Sequence, residues 1–157
     1  CENKAKFAKC KTVEVFSGKG GLTCQLRISG LDATAVDWKG NRHKTVAETI
    51  NLDLTKTTDQ ERLRKIIFDK LVVYVHFGPP CGTYSRAREK PLSATHHGPP
   101  PLRTDENPYG ISGLKGVDLA RVESANKLVH FMGECVPALV AEGKYFTIEN
   151  PWRSIMW

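Results

Sequence analysis

Apolar and polar positions along this chain switch repeatedly between the strand period and the helix period. Thr12 to Phe16 reads as a short buried strand that runs into a glycine-rich turn. Gly21 to Ile28 has helical spacing, with Leu22, Leu26 and Cys24 facing inward. Leu31 to Val36 reads as a second strand, ended by Asp37-Trp38, and Thr49 to Leu54 as a third, alternating at Ile50, Leu52 and Leu54. Asp59 to Phe68 is amphipathic through Leu63, Ile66 and Ile67, with Thr58 as its expected cap. Leu71 to Phe77 is the clearest strand, because it is almost wholly apolar or aromatic and rich in valine. From Gly78 to Gly116 the period is lost, a stretch far longer than the ~12–15 residues of an ordinary loop. Val117 to Ala141 resumes helical spacing through Leu119, Val122, Ala125, Leu128, Val129 and Met132, and Pro137 is expected to kink or split it. Lys144 to Ile148 reads as a fifth strand, followed by Glu149-Asn150-Pro151.

This alternation predicts an α/β fold with a Rossmann-like sheet of about five mainly parallel strands and flanking helices. In such sheets ligands bind beyond the carboxyl ends of the strands, where strand order reverses. Four of the five strands are followed by a polar or glycine-rich feature: Ser17 to Gly21, Asp37-Trp38, Gly78 to Ser85, and Glu149-Asn150. Asp53 closes or follows the remaining strand, so all five features are expected at one edge.

At 157 residues, with 40% hydrophobic and 25% charged residues, the chain has the composition of one globular domain. The expected division is a basic tail over residues 1–11 and one domain over 12–157, with a long loop at about 78–116. No apolar run reaches the ~20 residues of a membrane span, so no membrane partner is expected. The net charge of +6 suits a polyanion, and Lys4, Lys6, Lys9 and Lys11 concentrate it at the front. The same lysines also read as a solvated tail. Five cysteines, an odd number with no C-x-x-C pair, argue against a disulfide framework or a zinc site and for an intracellular, reducing compartment. His96-His97 lies in a Pro-rich loop without a cysteine or carboxylate cluster, so metal binding is not expected there.

The candidate chemistry sits in short motifs. Phe16-Ser17-Gly18-Lys19-Gly20-Gly21-Leu22 permits a tight turn and close backbone approach by a ligand, but lacks both the dinucleotide fingerprint and the Gly-Lys-Ser/Thr ending of a phosphate loop. Asp37, at the end of the second strand, can accept hydrogen bonds from ribose hydroxyls, and Trp38 offers a face for a purine. Pro79-Pro80-Cys81-Gly82 rigidifies and then bends the chain at a strand exit, which suits an accessible, reactive thiol as well as a merely structural one. Glu149 is placed to act as an acid near a cysteine, or is an ordinary charged strand end.

In their order these motifs resemble the cytosine-5 DNA methyltransferases, over roughly residues 12–151. The resemblance implies that Phe16, Ser17, Gly18, Gly20, Gly21 and Leu22 form the loop for S-adenosylmethionine (AdoMet), and that Asp37, Trp38, Asp53 and Pro79 complete the cofactor site. It implies catalysis by Cys81 and Glu149, with Pro80, Ser85, Arg86, Arg88 and Asn150 toward a base flipped out of DNA. Pro151 stands where that family usually has valine, and Lys19 where it has a small or apolar residue. Nothing matches its later Gln-x-Arg-x-Arg motif, target-recognition region, final cofactor motif or last two strands. The resemblance therefore covers the N-terminal part of a catalytic domain, and implies a target-recognition region elsewhere in the same or another chain. It extends to methyltransferase-like proteins that share the Pro-Pro-Cys-Gly and Glu-Asn-Pro pieces. The competing readings are a methyltransferase-like module that only binds nucleic acid or a partner, an RNA cytosine methyltransferase and, more remotely, a nicotinamide enzyme. The implied location is nuclear in a eukaryote.

Overall fold

The structure is a computed structural model that describes residues 10–90, 93–95 and 98–157, with the Glu89 side chain left out. The basic tail up to Lys9 and the His96-His97 pair lie outside the described residues. The chain forms two compact units. One holds the chain up to Pro79 together with His130–Glu149, and the other Pro80–Val129 together with Asn150–Trp157.

The first unit is built on a parallel five-stranded sheet: β1 (Lys11–Val15), β2 (Asp32–Asp37), β3 (Thr49–Asn51), β4 (Val72–Phe77) and β5 (Tyr145–Ile148), in the order β3-β2-β1-β4-β5. The chain moves outward from β1 to β3, then crosses back to β4 on the other side of β1. The reversal point therefore lies between β1 and β4, as in doubly wound α/β sheets. The β-branched runs of β1, β2 and β4 supply the core, with Val15, Ala35, Val36, Val75 and Phe77 fully buried. Parallel pairing aligns Ile50, Val36, Val15, Phe77 and Ile148 in one row across all five strands. The residues that come next are Asn51, Asp37, Phe16, Gly78 and Glu149. This is why the sequence features after the strands share one edge.

Helix α1 (Gly21–Ile28) joins β1 to β2, and α2 (Thr57–Ile67) joins β3 to β4. The expected inward face of α1 is displaced: Thr23 is its buried residue, while Leu22, Cys24 and Leu26 are half-buried. Helix α2 buries Leu63 and Ile67. Its cap is Lys56 rather than Thr58, and no side chain caps it. Instead the Asp59 carboxylate of the first turn reaches back to accept from the Asp53 N–H at 2.8 Å. Strand β3 stops at Asn51, short of the expected Leu54, because Asp53 to Thr55 turn into α2. Helix α3 (Gly116–Ala141) runs unbroken through Pro137, against the expected split. Its buried positions Val122, Ala125, Met132, Cys135 and Leu139 keep the helical period, but Leu119 is exposed.

The second unit contains a short 3-10 turn (Arg86–Glu89), residues 98–115, the first half of α3 and the closing residues of the chain. Its interior holds Tyr84, Leu102, Val122 and Ala125, and also the side chain of Arg103, only 1% exposed. Within the stretch that has no period in sequence, Thr83, Tyr84 and Pro108 thus gather around a buried arginine. Among the described residues, no helix is long and apolar enough to cross a membrane.

Candidate functional site

The carboxyl edge of the sheet carries a compact polar cluster in the first unit. Its centre is the turn after β1. Phe16 adopts φ +61°, a backbone region that costs a bulky residue about 1–3 kcal/mol and clusters at functional sites. Gly18 (φ +55°) and Gly20 (φ +75°) continue the left-handed backbone, which only glycine adopts without strain. The turn is closed by the Gly20 N–H on the Ser17 carbonyl at 2.7 Å and by the Ser17 N–H on Val36 at 3.1 Å.

Asp37 locks this turn to β2. One carboxylate oxygen accepts from the Gly18 N–H at 2.7 Å and from the Asn41 amide at 3.1 Å, and the other accepts from the Trp38 N–H at 2.7 Å. Asn41 also donates to the Gly18 carbonyl. Each carboxylate oxygen has room for about two donors. Oδ2 is therefore filled, and Oδ1 keeps one position for an outside hydroxyl. Burial pushes the Asp37 carboxyl above its ordinary value, while the Trp38 and Gly18 N–H groups pull it down. Trp38 is 58% exposed, and its indole folds over Gly40, where a Cβ would fall 2.4 Å from the ring. Glycine at position 40 thus allows the ring its place.

The segment between β2 and β3 forms a strap over the same turn. The Val46 N–H bonds to the Lys19 carbonyl at 2.8 Å, and Ala47 packs so closely on Gly20 that a Cβ there would lie 3.1 Å from the alanine methyl. Beneath the turn, Glu14 on β1 accepts from both the N–H and the hydroxyl of Thr23, at 2.7 and 2.6 Å. This puts a carboxylate at the start of α1, where the helix dipole favours negative charge. The Gly21 and Leu22 N–H groups, the first two of α1, make no backbone hydrogen bond among the described residues. Ser17 Oγ is buried without a hydrogen-bond partner among the described residues.

The structure thus brings together Phe16, Ser17, Gly18, Gly20, Gly21, Leu22, Asp37 and Trp38. Asp53 is occupied differently. Its carboxylate accepts from the Thr55 hydroxyl at 2.6 Å and N–H at 3.2 Å, and pairs with Lys56 at 3.4 Å, building the entry to α2. The Thr55 hydroxyl bond is the main reason its carboxyl lies below the ordinary value. Pro79 is buried beyond β4, and Glu149 is exposed beyond β5, its N–H bonded to the Phe77 carbonyl at 2.8 Å. A groove of about 320 Å³, lined in part by Lys11, Asp32, Lys65 and Asp69, opens on the sheet toward the amino ends of β1 and β2, away from this chemistry.

In the second unit, half-buried Cys81 heads a turn in which the Tyr84 and Ser85 N–H groups both bond to its carbonyl, at 2.9 and 2.8 Å. Pro80 is exposed, and Ser85 caps the 3-10 turn through the Ala87 N–H at 3.2 Å. Arg86 pairs with Asp105, and Arg88 donates to the Pro100 carbonyl at 3.0 Å, so both expected DNA-facing arginines have partners within the unit. Asn150 is half-buried and opens the closing segment. The cysteines at 24, 81 and 135 are free thiols, and no cluster of three or more His, Cys, Asp or Glu among the described residues could hold a metal ion.

Three contributors escaped the sequence reading. Glu14 had a signal, since a carboxylate inside an apolar parallel strand needs a buried partner. Asn41 had none, because a polar residue in a polar loop is ordinary. Arg103 had none either, because its burial arises from contacts remote in sequence. No protein-family model, no curated protein and no solved structure matches this chain.

Proposed function

We propose that this chain is the core of an AdoMet-dependent methyltransferase that modifies carbon 5 of cytosine in DNA through a covalent bond to Cys81. The observation that carries the reading is the bond between Asp37 and the Gly18 N–H. It makes the glycine turn and the acid at the end of β2 one rigid element beside the reversal point of the sheet. Around it stand a buried unpartnered hydroxyl (Ser17), two open helix N–H groups, one open carboxylate position (Asp37 Oδ1) and an exposed indole. These groups fit the parts of AdoMet. The N–H groups and Ser17 suit its carboxylate, Asp37 one ribose hydroxyl, and Trp38 the adenine face.

When bound, AdoMet supplies an electrophilic methyl group. The remaining chemistry belongs to the chain. The Cys81 thiolate adds to C6 of the flipped cytosine, which makes C5 electron-rich. Glu149 hydrogen-bonds to the ring nitrogen and steadies the charge that develops there. Once C5 carries the methyl group, its proton passes to solvent, the C–H electron pair closes the C5–C6 double bond, and the sulfur–C6 pair returns to Cys81 as thiolate, which restores aromaticity. RNA offers the same base, and a competition between DNA and RNA carrying one sequence separates the two.

A second reading has a specific observation behind it. Asp37 Oδ2 is fully committed inside the protein, as it would be if the turn were only structural. The module would then bind nucleic acid or a partner without methylating it. Calorimetric titration with S-adenosylhomocysteine decides between them: binding that is lost in Asp37→Ala supports the methyltransferase, and no binding by a folded chain overturns it. DNA containing 5-fluorocytosine tests the chemistry, because fluorine blocks the loss of the C5 substituent and the Cys81–C6 bond persists. A denaturation-resistant adduct with AdoMet present, absent in Cys81→Ser, is the expected result. An adduct that survives in that variant identifies another nucleophile.

A further inference from the structure

We propose that Arg103 is the positioning residue of the Cys81 turn, holding Thr83 and Tyr84 so that the thiol keeps one place. The inference rests on the reading of Cys81 as a nucleophile. Arg103 is 1% exposed, and its guanidinium has five N–H donors in a fixed planar fork. Nε and Nη2 both donate to Thr83 Oγ1, at 3.2 and 3.0 Å. Nη2 also donates to the Val122 carbonyl at 3.2 Å, and Nη1 to Asn126 Oδ1 at 2.7 Å and to the Pro108 carbonyl. All five bonds go to neutral acceptors. The plane lies 3.7 Å from the centroid of the Tyr84 ring, and the Tyr84 hydroxyl donates to the same Asn126 oxygen at 3.1 Å.

Among the described residues Arg103 has no carboxylate partner, and a buried cation of that kind is an expensive way to fill a core that an apolar side chain of similar volume fills better. What the apolar side chain lacks is the fork. Only a fork ties the Cys81 turn, the 102–110 segment and α3 together in one plane. Thr83 and Tyr84, the two residues it grips in the turn, lie two and three positions after Cys81. The Tyr84 N–H returns to the Cys81 carbonyl, and the Tyr84 carbonyl accepts from the Ile155 N–H at 3.0 Å. The restraint on Cys81 is therefore short and closed. Burial pulls the Arg103 pKa down and pushes that of Tyr84 up, which fits a desolvated pair.

The test separates placing the thiol from merely having one. Two rates are measured on the full chain: adduct formation with 5-fluorocytosine DNA plus AdoMet, and alkylation of Cys81 by iodoacetamide, followed by peptide mass. The variants are Thr83→Val, which removes the shared acceptor, Thr83→Ser, which keeps it, and Arg103→Lys, which keeps the charge without the fork. Melting curves accompany each, so that if one of Thr83→Val and Arg103→Lys is unfolded the other carries the comparison. Displacement of a reacting group by an ångström costs about 100-fold, so Thr83→Val and Arg103→Lys are expected to slow adduct formation about 10–100-fold. Alkylation should change by less than about threefold, and Thr83→Ser should restore adduct formation. Equal slowing of both rates, or unchanged adduct formation in folded variants, overturns the positioning role and leaves the nucleophile reading standing. A wild-type chain that binds S-adenosylhomocysteine and DNA but forms no adduct removes the nucleophile reading, and the positioning role with it.

Discussion

Replacing Asp37 separates its structural role from its role toward a ligand, because asparagine and alanine remove different things. Asp37→Asn keeps one oxygen. If that oxygen stays with Gly18 and Asn41, both donors inside the cluster remain satisfied, and only the Trp38 N–H, at an exposed position, must turn to water. Burial has already raised the Asp37 pKa, so the neutral amide also recovers some desolvation energy. The expected loss of stability is at most about 1 kcal/mol. Asp37→Ala leaves the Gly18 N–H and the Asn41 amide half-buried without this acceptor, at about 1–1.5 kcal/mol each, or roughly 2–3 kcal/mol together. For a chain of this size that is a fall of about 4–12 °C in Tm. Ligand binding should respond differently. The Oδ1 position becomes an NH₂ group in Asp37→Asn, so a ribose hydroxyl loses its charged acceptor, worth about 1.5–3 kcal/mol, or about ten- to a hundredfold in Kd. Calorimetry with S-adenosylhomocysteine and thermal unfolding on the same samples give both numbers. A Kd in Asp37→Asn equal to that of a binding wild-type chain would refute the ribose contact. An Asp37→Ala chain that melts with wild type would refute the locking of the turn.

Glu14→Ala should cost about 2–4 kcal/mol, because it strands the N–H and the hydroxyl of fully buried Thr23, whereas Glu14→Gln should cost less than about 1 kcal/mol; denaturant unfolding distinguishes them. Gly40→Ala should leave Tm within about 1 °C, because an exposed indole can swing away, yet it should shift the tryptophan emission and weaken S-adenosylhomocysteine; an unchanged affinity would take Trp38 out of the site. The two aspartates bend the pH profile in opposite senses. Asp53 is held below its ordinary value of 3.8, so its contribution is present above that value and is lost as pH falls through the depressed one. Asp37 is raised, so its contribution is present below 3.8 and is lost as pH rises through the raised value. Melting between about pH 3 and pH 6 should therefore be flattened on the acid side by Asp53→Asn and on the upper side by Asp37→Asn. Burial pushes the Cys135 thiol up to about 11, so iodoacetamide at neutral pH should leave it unmodified in the folded chain, and rapid labelling would show that the α3 face opens.

Strands β1, β2, β4 and β5 were legible to within a residue, most clearly β1 and β4, because central parallel strands are buried on both faces and read as near-continuous apolar runs, whereas β3 ends three residues before the expected Leu54. The alternation of strand and helix was enough to imply a parallel sheet, and a parallel sheet gathers the residues that follow its strands at one edge. That is how Ser17, Gly18, Asp37 and Glu149 were placed at one edge from sequence alone. The ends of elements were less legible. Thr58 has the chemistry of a cap, but Asp59 takes a backbone N–H from further back and α2 starts earlier. Pro137 has the chemistry of a breaker, but α3 continues through it.

Local chemistry along the chain thus determined the element types, the kind of sheet and the positions of the candidate motifs. Which donor meets which acceptor was decided by the tertiary structure. Asp37 as a turn lock, Glu14 as the partner of Thr23, and Arg103 as the centre of the second unit join residues 19, 9 and 20 positions apart. No periodicity reports such pairings. A buried polar group must find a partner in three dimensions, and its cost depends on what the fold brings within about 3 Å of it.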